Sequence, residues 1–331
     1  MSDTDSSVVK ELVENYGITE LKNELVARQV EKTRKGKPGE KRPLVGTRGI
    51  PSKFSTKQVH DAYRSAQKLV YGLDDRKDYY ELDEQQKKEC DSVVSLWESS
   101  DIIDNGNGES RLQTSNFGDS LNLCENEKFR EQPIGAFCSG FLVGPDLIAT
   151  AGHCVKNAED LTTTRFVFGY RMENENQAKT TISNSEIYKG KEIVGRKQDP
   201  GNGSDWCIVR LDQPVKNHNH FQNIRKSGKI PDTASVHVIG HPVGLPLKYA
   251  AGAQVRDNQS DLYIVCNLDT YGGNSGSPVI NDDDPHEIEG ILVRGDTDFN
   301  QVGNCQRSNV CPNTGCRGED VTRATEFANN L

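Results

Sequence analysis

The stretch DTYGGNSGSPV, Asp269–Val279, crowds glycines and serines around Ser275 and then stops at Pro278. Such a segment is either an ordinary loop or a bend that presents a hydroxyl among bare backbone N–H groups. A serine hydroxyl is a poor nucleophile at neutral pH and needs a neighbouring base, normally histidine, oriented by a carboxylate. The chain offers one candidate for each role. His153 lies in LIATAGHCV, where an apolar strand runs into Ala151 and Gly152; Asp205 lies in GNGSDWCIVRL, a glycine-rich turn leading directly into a strand. Ser275 again lies in a turn before a strand. Taken singly, each has an ordinary reading as a structural histidine, a turn aspartate or a loop serine. Together, at strand mouths from different parts of a rigid scaffold, they can converge as catalytic groups should.

The elements that must position them are short. From about residue 101 the chain runs through FCSGFLVG, DLIATAG, TRFVFGY, SEIYKGKEIVG, WCIVRLD, SVHVIGH, QVRDNQSDLYIVCNL, SPVIN and IEGILVRG. Many short β-type runs separated by Gly, Pro, Asn and Asp, with no helices between them, predict an antiparallel barrel or sandwich. The first hundred residues read differently. VVKELVENYGITELKNELVARQV and STKQVHDAYRSAQKLVYGL have apolar residues at helical spacing, the second opening on Ser55-Thr56 as an N-cap, and DEQQKKECDSVVSLWESS predicts a third helix. Between the first two lies EKTRKGKPGEKRPLVGTRGIPSK, a basic linker poor in apolar residues. GEDVTRATEFANNL predicts a terminal helix. The expected organisation is a helical N-terminal domain over 1–100 and a β domain over 101–331.

Composition narrows the partners. At 331 residues with 34% hydrophobic and 27% charged residues, the chain fits a globular protein. No run approaches the roughly 18 apolar residues of a membrane helix, so no membrane partner is expected. The start, MSDTDSSVVKELVENYG, has neither a basic n-region nor an apolar h-region, which predicts no signal peptide and a cytoplasmic location, with signal-less export as the alternative. The net charge is -9. Its excess acid falls within 101–331, which argues against nucleic acid as a partner. Nine cysteines leave at least one unpaired within the chain. There is no CxxC pair, so no structural zinc is expected. His218 and His220 in NHNH read as a solvated turn rather than a metal pair. No metal or other cofactor is expected.

Three motifs in order then carry a resemblance. LIATAGHC resembles the T-A-A-H-C motif of chymotrypsin-like serine proteases, and GNSGSPV resembles their G-D-S-G-G-P motif in the variant of the glutamyl-endopeptidase branch and its bacterial relatives. DWCIVRL matches the spacing of their aspartate motif, and the order His, Asp, Ser is that family's. The resemblance covers roughly residues 101–331. It implies a mainly β fold of two six-stranded antiparallel β-barrels, here preceded by the small α-helical N-terminal domain. It implies that Ser275 attacks a carbonyl, that His153 takes its proton and passes it to the leaving amine, and that Asp205 fixes the histidine tautomer. The backbone N–H groups of Gly273 and Ser275 would form the oxyanion hole, Gly272-Gly273 letting the chain turn its amides inward. Cys138 and Cys154 are spaced like the family's disulfide beside the histidine.

By the same resemblance Asp269 lies at the base of the specificity pocket, with Thr270, Arg294 and Gly295 as further substrate-binding residues. A buried, unpaired carboxylate there favours cleavage after Arg or Lys. Acidic-residue specificity is the alternative, although the glutamyl branch places a histidine where GILVRG has Leu292 and Val293. Arg294 is a complication, close enough to compete for Asp269. Two departures concern activation: Asn274 stands where the zymogen switch uses an aspartate, and Tyr271 replaces a cysteine of many animal members. Regulation therefore passes to the N-terminal region, as prodomain, as recruitment module for an activating partner or as a stabilising cap. Arg42, Arg48 and Lys53 would suit self-cleavage in the linker. The Cys138–Cys154 pair suggests an oxidising compartment, against the missing signal peptide. The pairing of Cys90, Cys124, Cys207, Cys266, Cys305, Cys311 and Cys316 stays open. The rival to a peptidase acting on protein or peptide substrates is an inactive, protease-like peptide-binding module; an esterase on the same machinery is a third reading.

Overall fold

The computed structural model describes residues 74–331 apart from 200–202, 284, 296–297 and 312–315, together with positions 8, 12, 24, 53–55, 58–59 and 70–71. The two helices expected over the first seventy residues, and the linker with Arg42 and Arg48, lie outside the described residues apart from those single positions. Lys53 is described and exposed.

A short strand β1 (Lys77–Asp78) and a helix α1 (Glu84–Cys90) lead into the first barrel. That barrel consists of β2 (Val93–Glu98), β3 (Cys138–Gly144), β4 (Leu147–Thr150), β5 (Thr164–Val167), β6 (Ile187–Gln198) and β7 (Asp205–Leu211). It closes in the order β5-β6-β7-β4-β3-β2, with β2 pairing back onto β5 and every neighbour antiparallel. The second uses β8 (Ser235–Gly240), β9 (Lys248–Asp257), β10 (Tyr263–Cys266), β11 (Pro278–Asn281), β12 (Ile288–Arg294) and β13 (Glu319–Arg323). Its order is β8-β11-β12-β13-β10-β9, closed by β8 against β9, with β1 added outside β9. The fold is two closed six-stranded antiparallel barrels.

Successive side chains of a strand point to opposite faces. A strand buried at every position, as β3 is, must therefore be covered on both. Short β-branched and aromatic runs meet that demand. Trp97 of β2 is fully buried, meets Tyr170 edge-on at 5.1 Å and donates its indole N–H to Ser95 Oγ at 2.9 Å.

Three expectations are corrected. DEQQKKECDSVVSLWESS is not one helix: Asp83 caps α1 by accepting the N–H groups of Gln85 and Gln86, and the chain then turns into β2. The apolar run Val93–Trp97 looks helical by spacing, but β3 and β5 pair with it on both edges. The β domain therefore begins before residue 100, because β2 is a stave of the first barrel. The terminal segment is likewise no helix. Glu319–Arg323 closes the second barrel between β10 and β12, and only two single 3₁₀ turns follow, Ala324–Glu326 and Ala328–Asn330.

Candidate active site

The two barrels meet through polar contacts that converge on one cleft. Ser139 of β3 donates its backbone N–H to Ser275 O (2.9 Å) and its hydroxyl to Gly273 O (3.3 Å). From the other side, Asp205 N–H of the first barrel donates to Thr322 Oγ1 of the second at 3.1 Å.

His153 and Asp205 are brought together by strand register. β7 pairs with β4 with Cys207 opposite Thr150, so the residue opening β7 and the residue just past β4 emerge at the same barrel end. Asp205 Oδ1 accepts the backbone N–H of His153 at 3.0 Å, and Oδ2 lies 2.7 Å from His153 Nδ1. Gly152 makes this approach possible: a Cβ there would lie 2.4 Å from Lys197 O and 2.9 Å from Asp205 Oδ1. Burial alone would raise the Asp205 carboxyl, but His153 and, more remotely, Arg294 hold it below the ordinary carboxylate value. An ionised carboxylate at that distance requires the proton on Nδ1, which leaves Nε2 as an acceptor.

Ser275 stands in the turn before β11. Its hydroxyl donates to Val293 O of β12 at 3.2 Å and, among the described residues, makes no hydrogen bond with His153. In the same turn Gly273 has φ +88°, and a Cβ on it would press on Val243 N, Gly244 N and His241 O at 3.0–3.2 Å. The flanking amides are engaged, Asn274 N–H with Tyr271 O (3.2 Å) and Gly276 N–H with Leu292 O (2.8 Å). Those of Gly273 and Ser275 have no acceptor among the described residues.

Cys138 and Cys154 form a disulfide, and the Cys154 sulfur lies 3.7 Å from Ser275 O. Cys138, His153 and Cys154 have potential ligand atoms within 4.8 Å of one another, but the two sulfurs are bonded together and are no metal ligands. Two further disulfides join Cys124 to Cys305 and Cys311 to Cys316, and Cys90, Cys207 and Cys266 are free and buried.

The pocket residues are arranged differently from expectation. Asp269 is buried but engaged: its Oδ2 accepts the backbone N–H of Asp75 at 3.3 Å, and the Asp75 carboxyl, raised by burial, hydrogen-bonds the Asp269 carboxyl. Arg294 does not compete for Asp269. Its guanidinium donates to Asp320 Oδ2 (3.1 Å) and Gly203 O (2.5 Å). Thr270 Oγ1 donates to Glu319 Oε2 at 3.3 Å, and Glu319 packs directly against Gly295. His218, expected in a solvated turn, is largely buried, contacts Asp91 Oδ1 (2.8 Å) and Glu186 Oε2 (2.5 Å) and stacks on Phe168.

Residues outside every motif hold this end of the cleft. Arg76 is fully buried, donates to Asp74 and to Tyr271 Oη (2.7 Å), and stacks its guanidinium 3.8 Å from the Tyr271 ring centroid. Lys248 pairs with Asp78 at 2.6 Å, both buried, and burial pulls the Lys248 ammonium down to about 8 against the opposing pull of Asp78. Asn274, in the zymogen-switch position, accepts the Ser277 hydroxyl within its own turn at 3.1 Å. Leu12, Phe54 and Val59 are buried in one apolar cluster with Phe117, Val243, Tyr271 and Phe299. No short-range pattern announces Asp75, Arg76 or Glu319; each gains its meaning from a partner far along the chain.

Residues 138–286 match the family model of a trypsin-like peptidase domain. The chain is 23% identical over 158 residues to the uncharacterized protein y4fB of Sinorhizobium fredii, covering 44% of this chain and 23% of that one. It is 24% identical over 148 residues to the glutamyl endopeptidase of Bacillus licheniformis, covering 43% and 44% respectively. It thus spans less than half the length of either relative. A solved Glu endopeptidase in complex with MPD overlays with a TM-score of 0.45 at 16% identity, covering 79% of this chain and 97% of that one. The matched segment runs from β3 of the first barrel into the second and contains His153, Asp205 and Ser275, and over it the chain is similar to trypsin-like peptidases.

Proposed function

We propose that this chain is a serine endopeptidase that hydrolyses peptide bonds through an acyl-enzyme. Ser275 Oγ attacks the scissile carbonyl as its proton passes to His153 Nε2, and Asp205 stabilises the imidazolium that forms. A rotamer change releases the hydroxyl from Val293 O and turns it toward the imidazole. The oxyanion is received by the N–H groups of Gly273 and Ser275. His153 then protonates the leaving amine, and water repeats the sequence on the ester. The observation that carries this reading is the His153–Asp205 contact at 2.7 Å, made by a carboxylate kept ionised in a buried site.

Cleavage after Arg or Lys is the specificity favoured here, because carboxylates crowd the pocket end of the cleft. The similarity to a glutamyl endopeptidase favours a second reading, cleavage after an acidic residue. The substrate is a protein or peptide. Regulation by the N-terminal region, alone or through an activating partner, is supported by the contacts of Asp75 and Arg76 with Asp269 and Tyr271. Three disulfides favour an oxidising compartment over the cytoplasm, and so favour export.

A fluorophosphonate probe tests the chemistry. The expected result is labelling of the wild type at Ser275, with none in Ser275→Ala and strong slowing in His153→Ala. A wild-type protein that neither labels nor cleaves peptides would be the inactive peptide-binding module.

A further inference from the structure

We propose that Arg294 is a positioning residue for Asp205, acting through the turn that carries the aspartate and not on the substrate; this rests on the serine endopeptidase reading. Asp205 and His153 belong to the first barrel and Ser275 to the second, so their spacing depends on how the barrels are tied together. Three consecutive residues leading into β7 are each held from the second half of the chain. Gly203 O accepts an N–H of Arg294 Nη2 at 2.5 Å, Ser204 Oγ donates to Glu326 Oε2 at 2.8 Å, and the Asp205 backbone N–H donates to Thr322 Oγ1 at 3.1 Å. Thr322 lies on β13 and Glu326 in the 3₁₀ turn after it, whereas Arg294 ends β12. The residue before it, Val293, accepts the Ser275 hydroxyl at 3.2 Å. Two adjacent residues of β12 thus touch the nucleophile and the turn of the acid.

The guanidinium is fixed on both sides. Its Nε donates to Asp320 Oδ2 at 3.1 Å, while Nη2 serves Gly203. Gly203 has φ +86°, and a Cβ on it would lie 3.0 Å from Tyr263 Cδ1 and 3.3 Å from Arg294 Nη2, so the turn is packed closely against the second barrel. Reaching a substrate would cost Arg294 both of these charge-assisted hydrogen bonds. The positive charge beside the turn also helps keep the Asp205 carboxyl ionised. A carboxylate shifted by about 1 Å would no longer orient the imidazole, and misplacement of that size can cost about 100-fold in rate. Arg294 can be removed without orphaning its acid partner, because Arg317 holds Asp320 Oδ1 at 2.6 Å.

The test is a double-mutant cycle on the full chain, read by kcat and KM on a peptide substrate. Arg294→Met is expected to lower kcat about 10- to 100-fold with KM within about threefold of wild type, since a misplaced acid weakens the transition state and not substrate binding. In an Asp205→Asn background, where the histidine tautomer is already wrong, the same substitution should lower kcat by less than about threefold. In an Asp269→Asn background, which alters the pocket and leaves the acid in place, it should keep its full effect. Arg294→Lys keeps the charge but offers one nitrogen in place of two, so its kcat should fall between wild type and Arg294→Met. A rise in KM with kcat unchanged overturns the proposal and returns Arg294 to the substrate. So does a loss that persists undiminished in Asp205→Asn, or one that disappears in Asp269→Asn. If Arg294→Met does not fold, Arg294→Lys carries the same cycle, and a kcat equal to wild type, or a loss undiminished in Asp205→Asn, overturns the proposal. Failure of the wild type to label with a fluorophosphonate is a separate outcome, which removes the peptidase reading first and this one with it.

Discussion

The two ends of the cleft are built in contrasting ways. At the His153–Asp205 end, both residues come from one barrel, on adjacent strands whose register sets their distance, with a single glycine clearing the space between them. At the pocket end, Asp269 and Tyr271 are held by Asp75 and Arg76, which lie 194 and 195 positions away, while Thr270 and Gly295 meet Glu319. The first end depends on hydrogen-bonded strand pairing and short motifs. The second depends on buried charges brought from remote parts of the chain, each of which loses hydration and must recover it from a specific partner. On the proposed reading, reaction chemistry would therefore depend on few residues around it, whereas specificity would be exposed to any substitution in the supporting segments.

The largest expected effects lie at the first end. Ser275→Ala should lower kcat by about 10⁶-fold, as removing a triad nucleophile does, and Asp205→Asn by about 10⁴-fold through the wrong tautomer. Both are measured by burst and steady-state kinetics on a peptide substrate. A loss in Asp205→Asn smaller than that in Asp269→Asn would break the comparison.

At the second end, Arg76→Met removes the bidentate donor of Asp74, leaving it the more distant Lys128, and takes one partner from the Tyr271 hydroxyl, which keeps Ser308. Because Asp74 keeps some contact with water, the destabilisation should fall at the lower end for a broken buried pair, about 3 kcal/mol. Tyr271→Phe, which removes the hydroxyl's hydrogen bonds with Arg76 and Ser308 but leaves the Arg76–Asp74 pair in place, should cost less, about 2 kcal/mol. Urea unfolding gives both values, and a pocket loop independent of Arg76 would show neither.

Away from the cleft, His218 sharpens the contrast, since it is a buried charged group with a purely structural setting. Burial lowers its pKa, but hydrogen bonds to Asp91 and Glu186 outweigh that and push it up to about 9 from 6.5. Its contribution is then complete below pH 6.5 and lost as pH rises through about 9. The stability difference between wild type and His218→Asn, from urea melts, should shrink across that window; a difference constant with pH would show that the imidazole is not charged. The smallest effect concerns Cys90, Cys207 and Cys266. Burial raises all of their thiols, that of Cys207 to about 12, so an alkylating reagent should leave the native protein unmodified at these positions and react after denaturation.

Much of this architecture is legible in the sequence. DWCIVRL and FCSGFLVG read as short β-type runs, and the glycine-containing turns at the ends of LIAT, DWCIVRL and PVIN present His153, Asp205 and Ser275 as a set. The misreadings at Val93–Trp97 and Glu319–Arg323 share one cause. Each is a short segment inside a longer run that reads as a helix, and only the strands on either side make it a stave of a closed barrel. The family resemblance singles out Asp269, but its engagement by Asp75 has no local signature.

By itself the sequence determined the residue types for the proposed proton relay, their order and the strand-rich chain that carries them, because these follow from short-range patterns of polarity and backbone freedom. Only the tertiary structure decided which acids face one another, which cations they take and which carboxylate lies against Gly295. Those outcomes depend on desolvation and on distances between segments far apart in the chain, and neither is written in any local run of residues.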